Sequence, residues 1–295
     1  MMGFTEFADK IAGELQQRLG DDYTVTVTNI LKNNDVSLTG VVIRERSDSI
    51  SPTVYLEEFY RQYQDDVLME EIVEQIIRIY EKSARYSDLD MNFFRDYASV
   101  EKGIRHKVIN YEKNRKLLAD VPWFAWHDLA VVFYYAVEET RYDRASILIH
   151  NSHLDQWGKT AVEVYHAACR NMKENMPELL VPMQQLLHDT MGLDMGEGSL
   201  PLYVLTNRER MFGASAMLYS EKMKELADEL QSDLLILPSS LHEALLLPDD
   251  RTQEYDVYRQ MVRTVNETQV DPEEVLSSHL YRYSRERDRI EEIEE

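Results

Sequence analysis

Four short apolar runs between Leu202 and Pro248 constrain this chain more than any other feature. They are Leu202–Thr206 (LYVLT), Ala214–Tyr219 (ASAMLY), Asp233–Leu237 (DLLIL) and Ala244–Leu247 (ALLL). Runs of this length, bounded by polar turns, suit strands better than helices. A polar turn, Asn207–Gly213, separates the first two. After the second, Ser220 is placed to cap a helix whose apolar side is Met223, Leu226, Ala227 and Leu230. Pro238-Ser-Ser-Leu-His-Glu243 then leads into the last run. The stretch is expected to fold as strand–strand–helix–strand–strand over about 202–248, with Leu202–Thr206 and Asp233–Leu237 paired in one sheet.

The remaining chain alternates the same two periods. Phe4, Phe7, Ala8, Ile11, Leu15 and Leu19 lie at helical spacing before Gly20, a residue suited to a left-handed cap. Tyr23–Ile30 alternates Thr with Val as a half-buried strand does, and Lys32-Asn-Asn-Asp35 turns it back into Val36–Arg44, where Gly40 suggests a bulge. Thr53–Leu56 reads as a third strand, and Val67 to Tyr80 as a long amphipathic helix. Further on, Ile104–Asn110 reads as a strand, Tyr111–Leu118 as a helix, Asp128–Val137 as a strand although its length also permits a buried helix, and Ser146–Ile149 as a strand. Thr160 and Glu163 form a capping box before another helix. Pro177 and Pro182 break that helix, and Met191–Ser199 is the candidate mobile loop or boundary. Tyr255, Tyr258, Met261, Val262 and Val265 mark a helix. Asp271-Pro-Glu-Glu274 reads as a helix start, and Arg285–Glu295 as a charged tail that frays.

These patterns imply an α+β fold: antiparallel or mixed sheets covered by amphipathic helices. The expected division is an N-terminal lobe over 1–141, a C-terminal lobe over 142–280 and a charged tail over 281–295, the two lobes being either separate or one compact body.

Charge narrows the partners. The 295 residues carry 54 acidic and 32 basic side chains, a formal net charge of −22. That balance opposes binding to a phosphate backbone, which needs clustered Lys and Arg. Between Glu57 and Asp90, ten acidic and four basic residues interleave with Ile, Val and Tyr, as on solvated helix faces. The competing reading is a nucleic-acid mimic whose carboxylates form a continuous ridge. A single cysteine, Cys169, excludes an intrachain disulfide and a CxxC metal site. The N-terminus lacks a basic region followed by an apolar segment, and no run approaches the ~18 apolar residues of a membrane span. The expectation is a cytoplasmic protein without a membrane partner.

Two clusters hold the residue types that chemistry requires. Ser239, Ser240, His242 and Glu243 supply hydroxyl, imidazole and carboxylate groups within five residues, but a catalytic triad is assembled from separate elements, and no G-x-S-x-G elbow surrounds either Ser. The ordinary reading is a polar turn. His150 and His153 have a spacing that one helical turn brings to one metal, with Asp155 nearby and His242 as a distant third ligand. The ordinary reading here is a pair of hydrogen-bonded structural histidines. Lys32-Asn33-Asn34, Asn151 and Thr206-Asn207 place amides at strand ends, where tight turns also use them. Trp123, Phe124, Trp126, Phe133, Tyr134 and Tyr135 read as core, with an interface patch as the alternative for Trp123 and Trp126. Gly192, Gly196 and Gly198 lack the Lys-Ser/Thr of a phosphate loop.

The strings NILKNNDVSLTGVVIRE, ISPTVYLEEFY, VINYEKNRKLL, ILIHNSHLDQWG, YVLTNRERMFGASAMLY and LPSSLHEALLLPDD resemble an uncharacterised family of unknown function from anaerobic Gram-positive gut bacteria and their mobile elements. The resemblance runs from about Phe4 to about Leu280. Tyr203–Pro248 also resembles a second, more widespread bacterial family. Neither resemblance implies a reaction or a catalytic residue. What it implies is a soluble bacterial module.

Taken together, the sequence reads as a cytoplasmic, non-catalytic binding or regulatory protein acting on another protein, with no cofactor, no metal and no direct contact to nucleic acid. Two other readings compete with it. One is a hydrolase-like or metal-dependent enzyme built on His150/His153 and Ser240/His242/Glu243, and the other is the acidic mimic. Should the chain hold a small ligand, Asn151, His153, Asn207, Ser240, His242 and Glu243 are the residues expected to contact it.

Overall fold

The computed structural model describes residues 2–45, 53–83, 91–137, 145–193, 201–238, 240–249 and 254–293. The fold is α+β, and the described strands form three antiparallel sheets. The chain divides into two compact units, Met1–Phe93 and Phe94–Glu295. The boundary expected near residue 142 is thus displaced, because it would separate Leu129–Val137 from Ala145–Leu148, two strands that pair with each other.

In the first unit, α1 (Phe4–Leu19) buries Phe7, Ala8, Ile11 and Leu15 and ends at Gly20, whose φ of +82° favours glycine. The strands β1 (Tyr23–Leu31) and β2 (Ser37–Glu45) form a hairpin in unbroken register, and β3 (Thr53–Tyr55) adds to β2. Asn34 and Asp35, at φ +62° and +56°, make its tight turn. The expected bulge at Gly40 does not occur, since Thr28↔Gly40 pairing continues the register. Glycine is needed there for clearance: a Cβ would lie 2.4 Å from Thr53 Cγ2 and 3.1 Å from the Val54 carbonyl oxygen. Next come α2 (Glu57–Gln64), which buries Phe59, and α3 (Met69–Ser83), which sends Ile72, Val73, Ile76 and Tyr80 into the same core. On the polar side of α3, Glu70 and Glu74 pair with Arg18 at 3.1 and 3.5 Å. Helix, hairpin, strand and helix succeed one another in the order the periodicities imply.

The second unit opens with α4 (Tyr97–Val100), β4 (Ile104–Asn110), a 3₁₀ turn at Glu112–Asn114 and α5 (Arg115–Leu118), then β5 (Trp123–Trp126), β6 (Leu129–Val137) and β7 (Ala145–Leu148). Strand β6 is the spine of this sheet, with β4 along one side and β5 and β7 end to end along the other. Leu129 to Tyr134 are all buried, which explains an apolar run without alternation. Then come α6 (Asn151–Trp157) and α7 (Ala161–Asn175), capped by Thr160 and Glu163 as expected. After them lie β8 (Glu178–Pro182), α8 (Met183–Met191) and β9 (Tyr203–Asn207). The sequence reading missed β8, which ends on Pro182 and lies at a sheet edge where proline is tolerated. Part of the candidate mobile loop, residues 194–199, falls outside the described residues.

Ala214–Tyr219 is not a strand. Gly213–Leu218 forms a buried 3₁₀ helix, and Gly213 is wedged so closely that a Cβ would lie 2.0 Å from Thr206 Oγ1 and 2.4 Å from the His242 carbonyl oxygen. The run Gly-Ala-Ser-Ala lets the backbone itself fill that space. After α9 (Glu221–Leu230), with the Ser220 hydroxyl accepting from Met223 N–H, come β10 (Leu234–Leu237), β11 (Ala244–Pro248) and α10 (Tyr255–Thr268). Residues 281–293 of the charged tail are ordered where the tail was expected to fray. In it β12 (Tyr281–Ser284) and β13 (Arg289–Glu292) form a hairpin, completing a sheet in the order β13-β12-β10-β11-β9-β8. Strands β9 and β10 share that sheet but do not pair, because β11 lies between them. Asp271–Glu274 is a single turn and does not open a helix.

Leu234 and Ile236 face a core shared with β4, β6 and α9, while Leu235 and Leu237 face a smaller one under α10. Leu226 sits in the larger core at 5% exposure. Leu226→Ala is expected to lower unfolding free energy by about 2–5 kcal/mol, read as a drop of several degrees in Tm. His106 on β4 is 2% exposed against Tyr219, and burial lowers its pKa to about 4. The unfolded chain takes up that proton near pH 6.5 and the folded one only near pH 4. Stability is therefore expected to fall between those values, by on the order of 3 kcal/mol from this group. Urea melts across that range should lose this component in His106→Gln.

Candidate functional site

The segment between β10 and β11 is the meeting point of the second unit. Leu241 N–H donates to the Glu274 carbonyl at 2.9 Å, and the Leu241 carbonyl accepts from Ala214 N–H at 3.1 Å. Ser240 bridges Val275. His242 is held through its carbonyl and both ring nitrogens. Its carbonyl accepts from Thr206 Oγ1 at 2.7 Å, its Nδ1 accepts from Phe212 N–H at 3.3 Å, and its ring stacks on Phe212 with centroids 5.7 Å apart. With Nδ1 accepting, the proton sits on Nε2, which donates to Glu274 Oε1 at 3.1 Å. Ser240 Oγ accepts from the backbone N–H of His242 at 3.1 Å. The hydroxyl therefore braces a turn, and both imidazole nitrogens are already engaged. The carboxylate on His242 comes from Glu274, whereas Glu243 lines a shallow groove with Leu179, Val181, Val204 and Arg210. Ser239 lies outside the described residues. Asn207, fully buried, closes the turn to Met211 through Nδ2 at 2.8 Å and Oδ1 at 3.3 Å.

His150 and His153 form a second, separate arrangement at the start of α6. His150 is the N-cap, and its Nδ1 lies 2.7 Å from Asp120 Oδ2. His153 Nδ1 accepts from the His150 backbone N–H at 3.0 Å, and its ring packs edge-on to Phe94 at 5.0 Å and against Trp157 at 5.8 Å. Burial, and then the neighbouring His150, hold its pKa below the usual histidine value. Asn151 N–H donates to the Asp120 carbonyl at 2.9 Å. This H-x-x-H spacing serves a helix start. Asn207, Ser240 and His242 share one turn cluster, whereas Asn151 and His153 belong to another with different partners.

A third cluster escaped the sequence reading. Asp128, at the β5–β6 turn, accepts from Ser277 Oγ at 2.7 Å and from the Tyr281 hydroxyl. His279 Nδ1 lies 2.5 Å from Glu292 Oε1 on β13. Among the described residues, Asp128, His279 and Glu292 are the group of three whose donor atoms approach one another within 4.8 Å, and neither His153 nor His242 belongs to such a group. About 150 residues separate Asp128 from His279, so no local spacing marks the cluster.

Loss of the His242 ring leaves the buried-side Phe212 N–H and Glu274 without their partner. His242→Ala is expected to cost about 1–3 kcal/mol, measured by denaturant unfolding, whereas Ser240→Ala should cost about 1 kcal/mol or less.

No curated protein and no solved structure matches the chain significantly. A family model does match, from residue 4 to residue 285, nearly the full length of the two units together. With that coverage, the chain belongs to DUF5688, a family of unknown function.

Proposed function

We propose that the chain is a cytoplasmic, non-catalytic binding protein that takes an extended, basic segment of a partner protein onto the open edge of β1. The carrying observation is the hydrogen-bonding parity of that strand. Lys32 N–H bonds to the Val36 carbonyl at 2.7 Å, which turns the amides of even-numbered residues in β1 toward β2 and those of odd-numbered residues outward. The start of the outer edge is closed from within. Gln16 Nε2 donates to the Tyr23 carbonyl and Gln16 Oε1 accepts from Val25 N–H, both at 3.0 Å, so its carboxamide stands in for a peptide group of a neighbouring strand. Beyond it, the outward amides of Val27, Asn29 and Leu31 have no partner strand among the described residues.

Exposed edges are usually blunted by charge, proline or a bulge. Strand β1 (YTVTVTNIL) carries none of these, and Val27 and Leu31 are 37% and 48% exposed. Such an edge suits strand addition, where main-chain bonds hold an extended peptide and alternate side chains select it. Charge supports a basic occupant: residues 1–93 contain 18 acidic and 9 basic residues, and the exposed Asp21 and Asp22 precede β1 while Asp35 follows it. The absence of catalysis from this reading is supported by the internal bonds of Ser240, His242 and His153. The pairing of Glu70 and Glu74 with Arg18 favours solvated helix faces over a carboxylate ridge.

Proline substitution separates the two edges. Asn29→Pro removes an outward donor and leaves the β1–β2 ladder whole; Thr28→Pro removes a ladder bond and should lower Tm. A synthetic peptide alternating Val and Lys is expected to shift the amide resonances of Val27, Asn29 and Leu31. That effect should vanish in Asn29→Pro, weaken on reversal of Asp21 and Asp22, and survive reversal of Glu70, Glu71 and Glu74 on α3. Equal binding of an acidic peptide, or concentration-dependent dimers abolished by Asn29→Pro, would overturn the basic-partner reading.

A further inference from the structure

We propose that Asp128, His279 and Glu292 form a binding site for a first-row divalent cation of the zinc type. The inference is independent of the strand edge, since all three residues lie in the second unit. A histidine nitrogen with two carboxylate oxygens is the mixed donor set that borderline cations such as Zn²⁺ take, whereas Mg²⁺ and Ca²⁺ favour oxygen alone. The donor atoms already lie within 4.8 Å of one another. Zinc bonds of about 2.0–2.2 Å place tetrahedral donors roughly 3.4 Å apart, so small side-chain rotations complete the arrangement. Three protein donors leave a fourth position for water.

Local electrostatics favour a cation at this point. Three arginines of the β12–β13 hairpin converge on Glu291, Arg287 and Arg289 at 2.8 Å and Arg282 at 3.5 Å, while Arg285 pairs with Asp228. Side chains alternate along a strand, so Glu292 faces the other way, toward His279. Among the described residues no Lys or Arg pairs with Asp128 or Glu292. Two carboxylates thus approach one histidine without a permanent cation between them.

Supporting bonds orient the donors, as the hydrogen-bond partners of metal ligands do in metal sites. Ser277 Oγ donates to Asp128 Oδ2 and accepts from His279 N–H at 2.9 Å, which ties two donors through one hydroxyl. The Tyr281 hydroxyl, fully buried, donates to the other Asp128 oxygen. Those bonds leave the His279 ring half-exposed and able to exchange its hydrogen bond to Glu292 for a metal bond. Bound there, the ion would join the turn after β5, the segment before β12 and the end of β13.

The test is calorimetric titration of zinc chloride into the full chain after metal removal. One equivalent is expected, lost in His279→Ala and in Glu292→Gln, and weakened about 10- to 100-fold in Ser277→Ala, which keeps all three ligands. Zinc should also raise the Tm of the parent protein and leave that of His279→Ala unchanged. Circular dichroism of the variants without zinc shows whether each is folded. No stoichiometric binding by the parent protein, binding that persists in both folded ligand variants, or binding abolished by His150→Ala with His153→Ala would overturn the proposal.

Discussion

Burial of β10 on both faces is the constraint on which the second unit depends. Leu234, Leu235, Ile236 and Leu237 are each 2% exposed or less, and alternation sends two of them into each of two cores. Each side chain of this size contributes about 1.5–3 kcal/mol on burial, so one four-residue strand accounts for an amount comparable to the net stability of an ordinary domain. To bury both faces the strand needs covers on both: β4, β6 and α9 on one side and α10 on the other. It also needs partners on both edges, β11 and β12. The ordering of the charged C-terminal hairpin results from the second requirement.

The polar residues in this unit are consumed by the backbone that the packing leaves unsatisfied. Pushing the 3₁₀ helix of Gly213–Leu218 into the core brings main-chain groups where water cannot reach, and a buried group without a partner costs about 1–3 kcal/mol. The segments packed beside it share that demand: Asn207 meets the Met211 carbonyl, the His242 ring meets the Phe212 amide, and Thr206 and Ser240 meet the carbonyl and amide of His242. The same economy operates at α6, where His153 takes the amide of His150. Residue types that suggest catalysis in a sequence thus hold turns in the fold.

The first unit presents the opposite situation, an unsatisfied edge in contact with solvent. Water can solvate those amides, so the fold tolerates them, and Gln16 covers only the two groups nearest α1. An edge of this kind and a cluster of mixed donors at Asp128, His279 and Glu292 are features of different chemistry, one recognising backbone and the other a cation. Neither depends on the other.

The sequence by itself determined the α+β class, the helices α1, α3, α7, α9 and α10 with the side-chain caps of α7 and α9, the β1–β2 hairpin and the strand character of residues 104–110, 129–137 and 234–237. Those features are local: periods of 2 and 3.6, a Thr160/Glu163 box, a Ser220 cap and turn residues act within a few positions. Tertiary structure decided everything that needed a distant neighbour. It made Gly213–Leu218 a 3₁₀ helix, because the space beside Thr206 and His242 at Gly213 admits backbone alone. It placed β11 between β9 and β10, enlisted residues 281–292 as two strands, and moved the division between units to Phe93. The candidate residues were legible one by one but not as sites. Which carboxylate met His242, and that Asp128 would meet His279, depended on chain crossings over 32 and 151 positions that no local pattern records.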